Sequence, residues 1–166
     1  MCLRLVGSEM CIRDSGKNVY GKEEILSVNK TLKKGTQMGS NVKLFEQKIG
    51  EYFDKKYNLM VNSGSSALTL ALSVLNLKKN DEVITPCLNF GTAVSAIIYS
   101  KASPIFVDID IDTLQINFDK LKQKISKRTK LFLIPNLIGN IPDWQKIYKL
   151  ARKHKIKIIE DSADTL

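Results

Sequence analysis

Residues 130–161, KLFLIPNLIGNIPDWQKIYKLARKHKIKIIED, decide the fold. Lys130–Ile134 is a short apolar run of strand length, and Ile156–Ile159 is a second. Between them, Asp143–His154 has helical character and closes on basic residues, which suit the negative end of a helix dipole. A strand, a helix of about three turns and another strand form a βαβ unit, whose strands run parallel.

The same alternation recurs upstream. Glu82–Thr85 and Pro104–Val107 read as strands, with Thr92–Tyr99 as the helix between them. Phe118, Leu121 and Ile125 mark an amphipathic helix before Lys130, and Ala67–Leu75 is a helix of nearly continuous apolar character. Ahead of it, Tyr57–Val61 reads as a short strand entering the turn Asn62–Ser66. Ile25, Val28 and Leu32 recur at helical spacing until Gly35, and Asn41 is expected to cap a second helix with an inward stripe of Val42, Phe45, Ile49 and Phe53. Short Val/Ile strands alternating with helices imply an α/β protein: a three-layer α/β/α arrangement with a mostly parallel sheet covered on both faces.

Residues 1–15, MCLRLVGSEMCIRDS, fit poorly with this pattern and lack the cleavage site of a secretory signal. They resemble a translated sequencing-adapter peptide, so the expected division is a non-native segment 1–15 followed by a domain over 16–166. The chain stops just after a strand, where a parallel sheet would still need its next crossover, so a truncated domain is expected. Cys2 and Cys11 fall in the first segment, which leaves Cys87 alone in the body. One thiol builds neither a disulfide framework nor a cysteine-rich metal site, and a reducing, cytoplasmic setting is expected.

The net charge of +9 comes mainly from lysines spread along the chain. Lys33-Lys34, Lys55-Lys56 and Lys78-Lys79 sit at expected helix ends, and the bland reading is a lysine-rich solvated surface. Aromatics are not interleaved with the basic residues and arginine is scarce, so nucleic acid is not an expected partner. No apolar run approaches the ~20 residues of a membrane-spanning helix.

Ligands of open α/β sheets bind beyond the carboxyl ends of the strands, and three groups occupy such positions. Asn62-Ser63-Gly64-Ser65-Ser66 offers a glycine for close backbone approach, two hydroxyls and the free N–H groups of a helix start, which suit a phosphate. A plain serine N-cap explains it equally well. Glu160-Asp161-Ser162-Ala163-Asp164 puts acids at the end of an apolar strand, where a buried carboxylate needs a cation or several donors. A protonated pyridine nitrogen is one such cation; a helix N-cap is the plainer role for Asp161. A metal is disfavoured because the only histidine, His154, belongs to a basic helix end. In Asn89-Phe90-Gly91-Thr92 the aromatic can stack on a planar ring or be a core residue. Cys87 is expected to be buried and inert.

In this order the strings GSNVKLFEQKIGEYF, VNSGSSALTLAL, DEVITPCLNFGTAVSAI, SPIFVDIDIDTLQIN, KRTKLFLIPNLIGN and IIEDSADTL resemble the DegT/DnrJ/StrS family of sugar aminotransferases, which use pyridoxal 5'-phosphate (PLP). The resemblance covers about Gly21 to Leu166 and implies part of the large domain of a fold type I PLP-dependent transferase. It implies that Gly64, Ser65 and Ser66 bind the cofactor phosphate, that Phe90 stacks on the pyridine ring and that Asp161 pairs with the ring nitrogen. Asp164 falls where many members have glutamine, next to the phenolic oxygen, and Asn136 where many have histidine. The Schiff-base lysine would lie beyond Leu166, so no catalytic residue is assigned and no turnover is expected of these residues alone.

The implied activity of the intact protein is transamination of a nucleotide-diphospho keto sugar, with glutamate as the amino donor and pyridoxamine phosphate (PMP) as the aminated cofactor, in a cytoplasmic homodimer. A subgroup of the family has histidine in place of the lysine and catalyses PMP-dependent 3-dehydration of such sugars. Acids at the Asp164 position occur there, which keeps that alternative open. A non-catalytic binding or regulatory protein that kept the PLP fold is the alternative of another class.

Overall fold

The computed structural model describes residues 19–37 and 39–165. The segment 1–15, with Cys2 and Cys11, lies outside the described residues. The chain divides into two compact units, residues 1–60 and 61–166.

The first unit holds two helices, α1 (Lys22–Lys34) and α2 (Ser40–Tyr52). Glu23 and Glu24 open α1, where Glu24 accepts a 2.6 Å hydrogen bond from the Gly21 N–H; Lys33 and Lys34 close it, so both ends complement the dipole. Gly39, not Asn41, is the N-cap of α2, so Asn41 lies inside the first turn. Gly50 is buried, and a Cβ there would collide with the Asn58 side chain and stand 2.9 Å from the Lys55 carbonyl, so only glycine fits. Tyr57–Val61 forms no strand. Its Met60 N–H is taken by the Glu46 carboxylate of α2 at 2.8 Å rather than by a neighbouring strand, and the Asn58 side-chain amide folds back on the Lys55 carbonyl at 3.0 Å.

The second unit is α3 (Gly64–Ser73), β1 (Glu82–Pro86), α4 (Gly91–Tyr99), β2 (Ser103–Val107), α5 (Phe118–Lys124), β3 (Thr129–Pro135), a 3₁₀ turn (Leu137–Gly139), α6 (Trp144–His154) and β4 (Lys157–Asp161). The four strands are all parallel in the order β2-β1-β3-β4. Strand residues alternate between two cores. Val83, Leu131 and Leu133 point to one face and meet Leu68 and Leu72 of α3 with Ala93, Ala96 and Ile97 of α4. Ile84, Phe132 and Ile134 point to the other and meet Leu121 of α5 with Ile147 and Ala151 of α6. This is the expected three-layer arrangement.

β3 is almost wholly buried, as a central parallel strand should be, whereas β4 is only half-buried at the edge of the described sheet. Asp143 caps α6 by accepting the Lys146 N–H at 3.0 Å, and His154 is exposed on its last turn, as expected of a helix-end residue. No helix among the described residues is long and apolar enough to cross a membrane.

The chain runs from β1 outward to β2 and then returns to place β3 on the other flank of β1. That reversal opens a crevice at the carboxyl ends of β1 and β3, the position where doubly wound sheets take ligands.

Candidate functional site

At this crevice lies a cleft of about 420 Å³. Four strand-end or helix-start segments supply its walls: Gly64 and Ser65 from the start of α3, Phe90 and Thr92 from the β1–α4 junction, Pro135 and Leu137 around the end of β3, and Asp161 and Asp164 from the end of β4 and beyond. Five of the six residues singled out from the sequence therefore meet in one place. Ser66 does not line the cleft.

The serine turn divides its labour. Ser63 is the N-cap of α3, its Oγ accepting the Ser66 N–H at 3.2 Å while its hydroxyl donates to Ser66 Oγ at 3.1 Å. The plain N-cap reading thus describes Ser63 and Ser66. Gly64 and Ser65 are exposed in the first turn, where helix N–H groups lack intrahelical acceptors, and the Ser65 hydroxyl makes no hydrogen bond within the described residues. Amides and a hydroxyl at the positive end of a helix suit an anion.

Phe90 is 66% exposed, which removes the core-phenylalanine reading. It sits at the N-cap of α4, held by a local relay: the Asn89 amide donates to Thr85 Oγ1 at 2.9 Å and its carbonyl accepts the Phe90 N–H at 2.7 Å. The Thr92 hydroxyl on the cleft wall is buried and has no partner among the described residues. A buried polar atom without a partner is costly, so it marks a place where a ligand would complete the bonding. Thr92 was quoted in the sequence only as the neighbour of Phe90; nothing local told its unmet need.

Asp161 is half-buried rather than buried, because β4 is an edge strand. Its Oδ1 accepts the Ala163 N–H at 3.2 Å in a tight local turn, and no helix begins there among the described residues, so it is not the N-cap of one. No cationic side chain of the described residues pairs with it. Asp164 reaches across to the loop after β3, accepting the Ile138 N–H at 3.2 Å. Ile138 carries a φ of 48°, an uncommon backbone for a β-branched residue, and this bond is one of the contacts that hold it.

One sequence reading changes, that of Cys87, and one position, Asn136, gains its partners only in the fold. Asn136 lies between the cleft-lining Pro135 and Leu137 but is itself 4% exposed and bonded elsewhere, to Trp144, Glu160 and Ser162. Cys87 is exposed, not buried: the buried run of β1 ends at Pro86, and the thiol lies 3.8 Å from Asp108 on the surface. Among the described residues no cluster of acids, histidines and cysteines could hold a metal ion.

Known proteins place this fold. The GDP-4-keto-6-deoxy-D-mannose 3-dehydratase of Yersinia pseudotuberculosis is 38% identical over 135 residues, 78% of this chain and 34% of its own length. The dTDP-3-amino-3,6-dideoxy-alpha-D-galactopyranose transaminase of Aneurinibacillus thermoaerophilus is 35% identical over 145 residues, 87% of this chain and 40% of its own. A structure of Escherichia coli GDP-4-keto-6-deoxy-D-mannose-3-dehydratase with bound hydrated PLP superposes with a TM-score of 0.86 at 31% identity, over 91% of this chain and 41% of that one. The chain thus spans well under half the length of these relatives. Its residues 18–166 match the model of one family throughout, and the chain belongs to the DegT/DnrJ/EryC1/StrS aminotransferase family.

Proposed function

We propose that the cleft is a PLP site and that the whole protein is a PLP-dependent aminotransferase acting on a nucleotide-diphospho keto sugar. The observation that carries this is the meeting of Ser65, Phe90 and Asp161 on one cleft of about 420 Å³. The donor set fits the cofactor: an anion site at a helix start, an exposed aromatic face and a carboxylate without a cation. PLP, when bound, supplies a protonated heterocycle that serves as an electron sink.

In this reading Gly64 and Ser65 hold the phosphate, with Ser63 and Ser66 fixing the turn that presents them. Phe90 lies against the ring, oriented by Asn89. Asp161 keeps a proton on the ring nitrogen by ion pairing, and Asp164 faces the phenolic edge. Glutamate as amino donor, a homodimer and a cytoplasmic setting belong to the same reading. A second reading, a PMP-dependent 3-dehydratase acting on a nucleotide-linked keto sugar, is favoured by the acid Asp164 on the cleft wall and by the likeness to sugar 3-dehydratases.

Titration of the purified chain with PLP tests the site. A saturable change in cofactor absorbance is expected, competed by inorganic phosphate and weakened about fivefold in Ser65→Ala, the worth of one hydrogen bond. A PLP spectrum that the chain leaves unchanged rejects the reading.

A further inference from the structure

Behind the cleft is a polar knot, built around one buried side chain, that the site itself does not use. The Asn136 side chain is at its centre, 4% exposed. The Trp144 Nε1–H donates to Asn136 Oδ1 at 2.9 Å. An indole nitrogen can only donate, so the carbonyl of the Asn136 amide must face it and the NH₂ must face the other way. That NH₂ donates to Glu160 Oε1 at 2.8 Å and to Ser162 Oγ at 2.9 Å, the two residues flanking Asp161. The backbone joins in: the Asn136 N–H donates to the Asp161 carbonyl at 2.9 Å, and the Thr165 hydroxyl donates to the Asn136 carbonyl at 3.5 Å. The residue that directly follows β3 therefore binds residues 160, 161, 162 and 165, the whole span that carries Asp161 and Asp164 into the cleft. Tyr148 of α6 adds a 3.4 Å bond to Glu160, and burial followed by the Glu160 charge raises its phenol above the ordinary range, so it stays a donor.

We propose that Asn136 is a positioning residue: oriented by Trp144, it clamps the loop 160–165 and so sets where the two acids of the cleft stand. The acids gain their placement from β3 because β4 is an edge strand, with no described neighbour on its outer side to hold its end. The inference rests on the cofactor reading of the cleft for its consequence, but not for its geometry.

Asn136→Asp in the full chain replaces the NH₂ by an oxygen that faces the Glu160 carboxylate. Amide hydrogen exchange at Ala163 and Thr165 should quicken roughly tenfold, the loss of more than one hydrogen bond, while the core amides of Ile84 and Phe132 keep their protection. The emission of Trp144, the sole tryptophan, should shift, and PLP affinity should fall roughly tenfold with it. Adding Glu160→Gln restores a donor–acceptor pair in reverse, and should recover both the exchange protection and the affinity. Rescue by that swap assigns the effect to the bond between positions 136 and 160, and the joint recovery of affinity separates a positioning role from a merely structural one.

Unchanged exchange over residues 161–165, or a double variant no better than the single, overturns the clamp. Quickened exchange with unaltered PLP affinity overturns the positioning role. Were the unsubstituted chain itself to bind no PLP, the cofactor reading would fail and the positioning role with it, while exchange would still decide the clamp. If Asn136→Asp loses core protection, Trp144→Phe, which frees the amide to turn while keeping the packing, is expected to quicken the same loop amides by a smaller factor. No such quickening would count against the proposal.

Discussion

The two ends of the parallel strands each carry an acid, and they are treated in opposite ways. At the amino end, Glu82 of β1 is 4% exposed and fully answered from within its own unit. Ser126 and the Arg128 guanidinium bond its two oxygens, and Thr129 Oγ1 adds a bond at 3.3 Å. The Ser126 hydroxyl first, and the Arg128 charge after it, hold the carboxyl below its ordinary range against the opposing effect of burial. At the carboxyl end, Asp161 receives one backbone N–H and no cation, and it faces a cleft with an exposed aromatic and an unpartnered hydroxyl. An acid whose bonds are closed by its own chain serves the fold; one left open beside other open groups is available to the ligand proposed above.

The strongest way to break this contrast is to exchange the consequences. Glu82→Ala should cost about 2 kcal/mol in urea denaturation, because the buried Thr129 loses an acceptor and a buried space is left behind while the exposed Ser126 and Arg128 turn to water, and it should leave PLP affinity intact. Asp161→Asn should do the reverse. Its stability should stay within about 1 kcal/mol of the parent, whereas PLP should bind roughly tenfold to hundredfold more weakly, the worth of a charge-assisted hydrogen bond. A large loss of stability in Asp161→Asn, or of cofactor in Glu82→Ala, would erase the distinction.

A smaller effect sharpens it. Since folded Glu82 is held below its ordinary value of 4.5, the unfolded chain takes up the proton more readily. Its contribution is complete above 4.5 and is lost as pH falls through that value toward the lower folded one. Denaturation followed from about pH 6 down to about pH 3 should show this slope in the parent and a shallower one in Glu82→Gln.

The amino-acid pattern was most informative where the signal is local. Each strand and helix of the second unit starts and stops within a few residues of its expected place, because runs such as Leu131–Ile134 and the stripe through Leu121 carry their burial in their spacing. It was least informative in the first unit, where Tyr57–Val61 has strand-like composition but its Met60 N–H goes to Glu46 and not to a neighbouring strand. Likewise Asn41 is a good cap by type, yet the helix begins two residues too early to use it.

What the chain determined by itself is the alternating α/β architecture, the helix-start location of Gly64 and Ser65 and the placement of Phe90, Asp161 and Asp164 at or just beyond strand ends, since periodicity and turn chemistry act between near neighbours. Tertiary structure alone decided that these five share one cleft, that Cys87 is exposed, and that Asn136 turns from the cleft to grip Trp144, Glu160 and Ser162. Those outcomes depend on strand order and on bonds spanning up to 26 residues, and no local pattern encodes which strand will stand beside which.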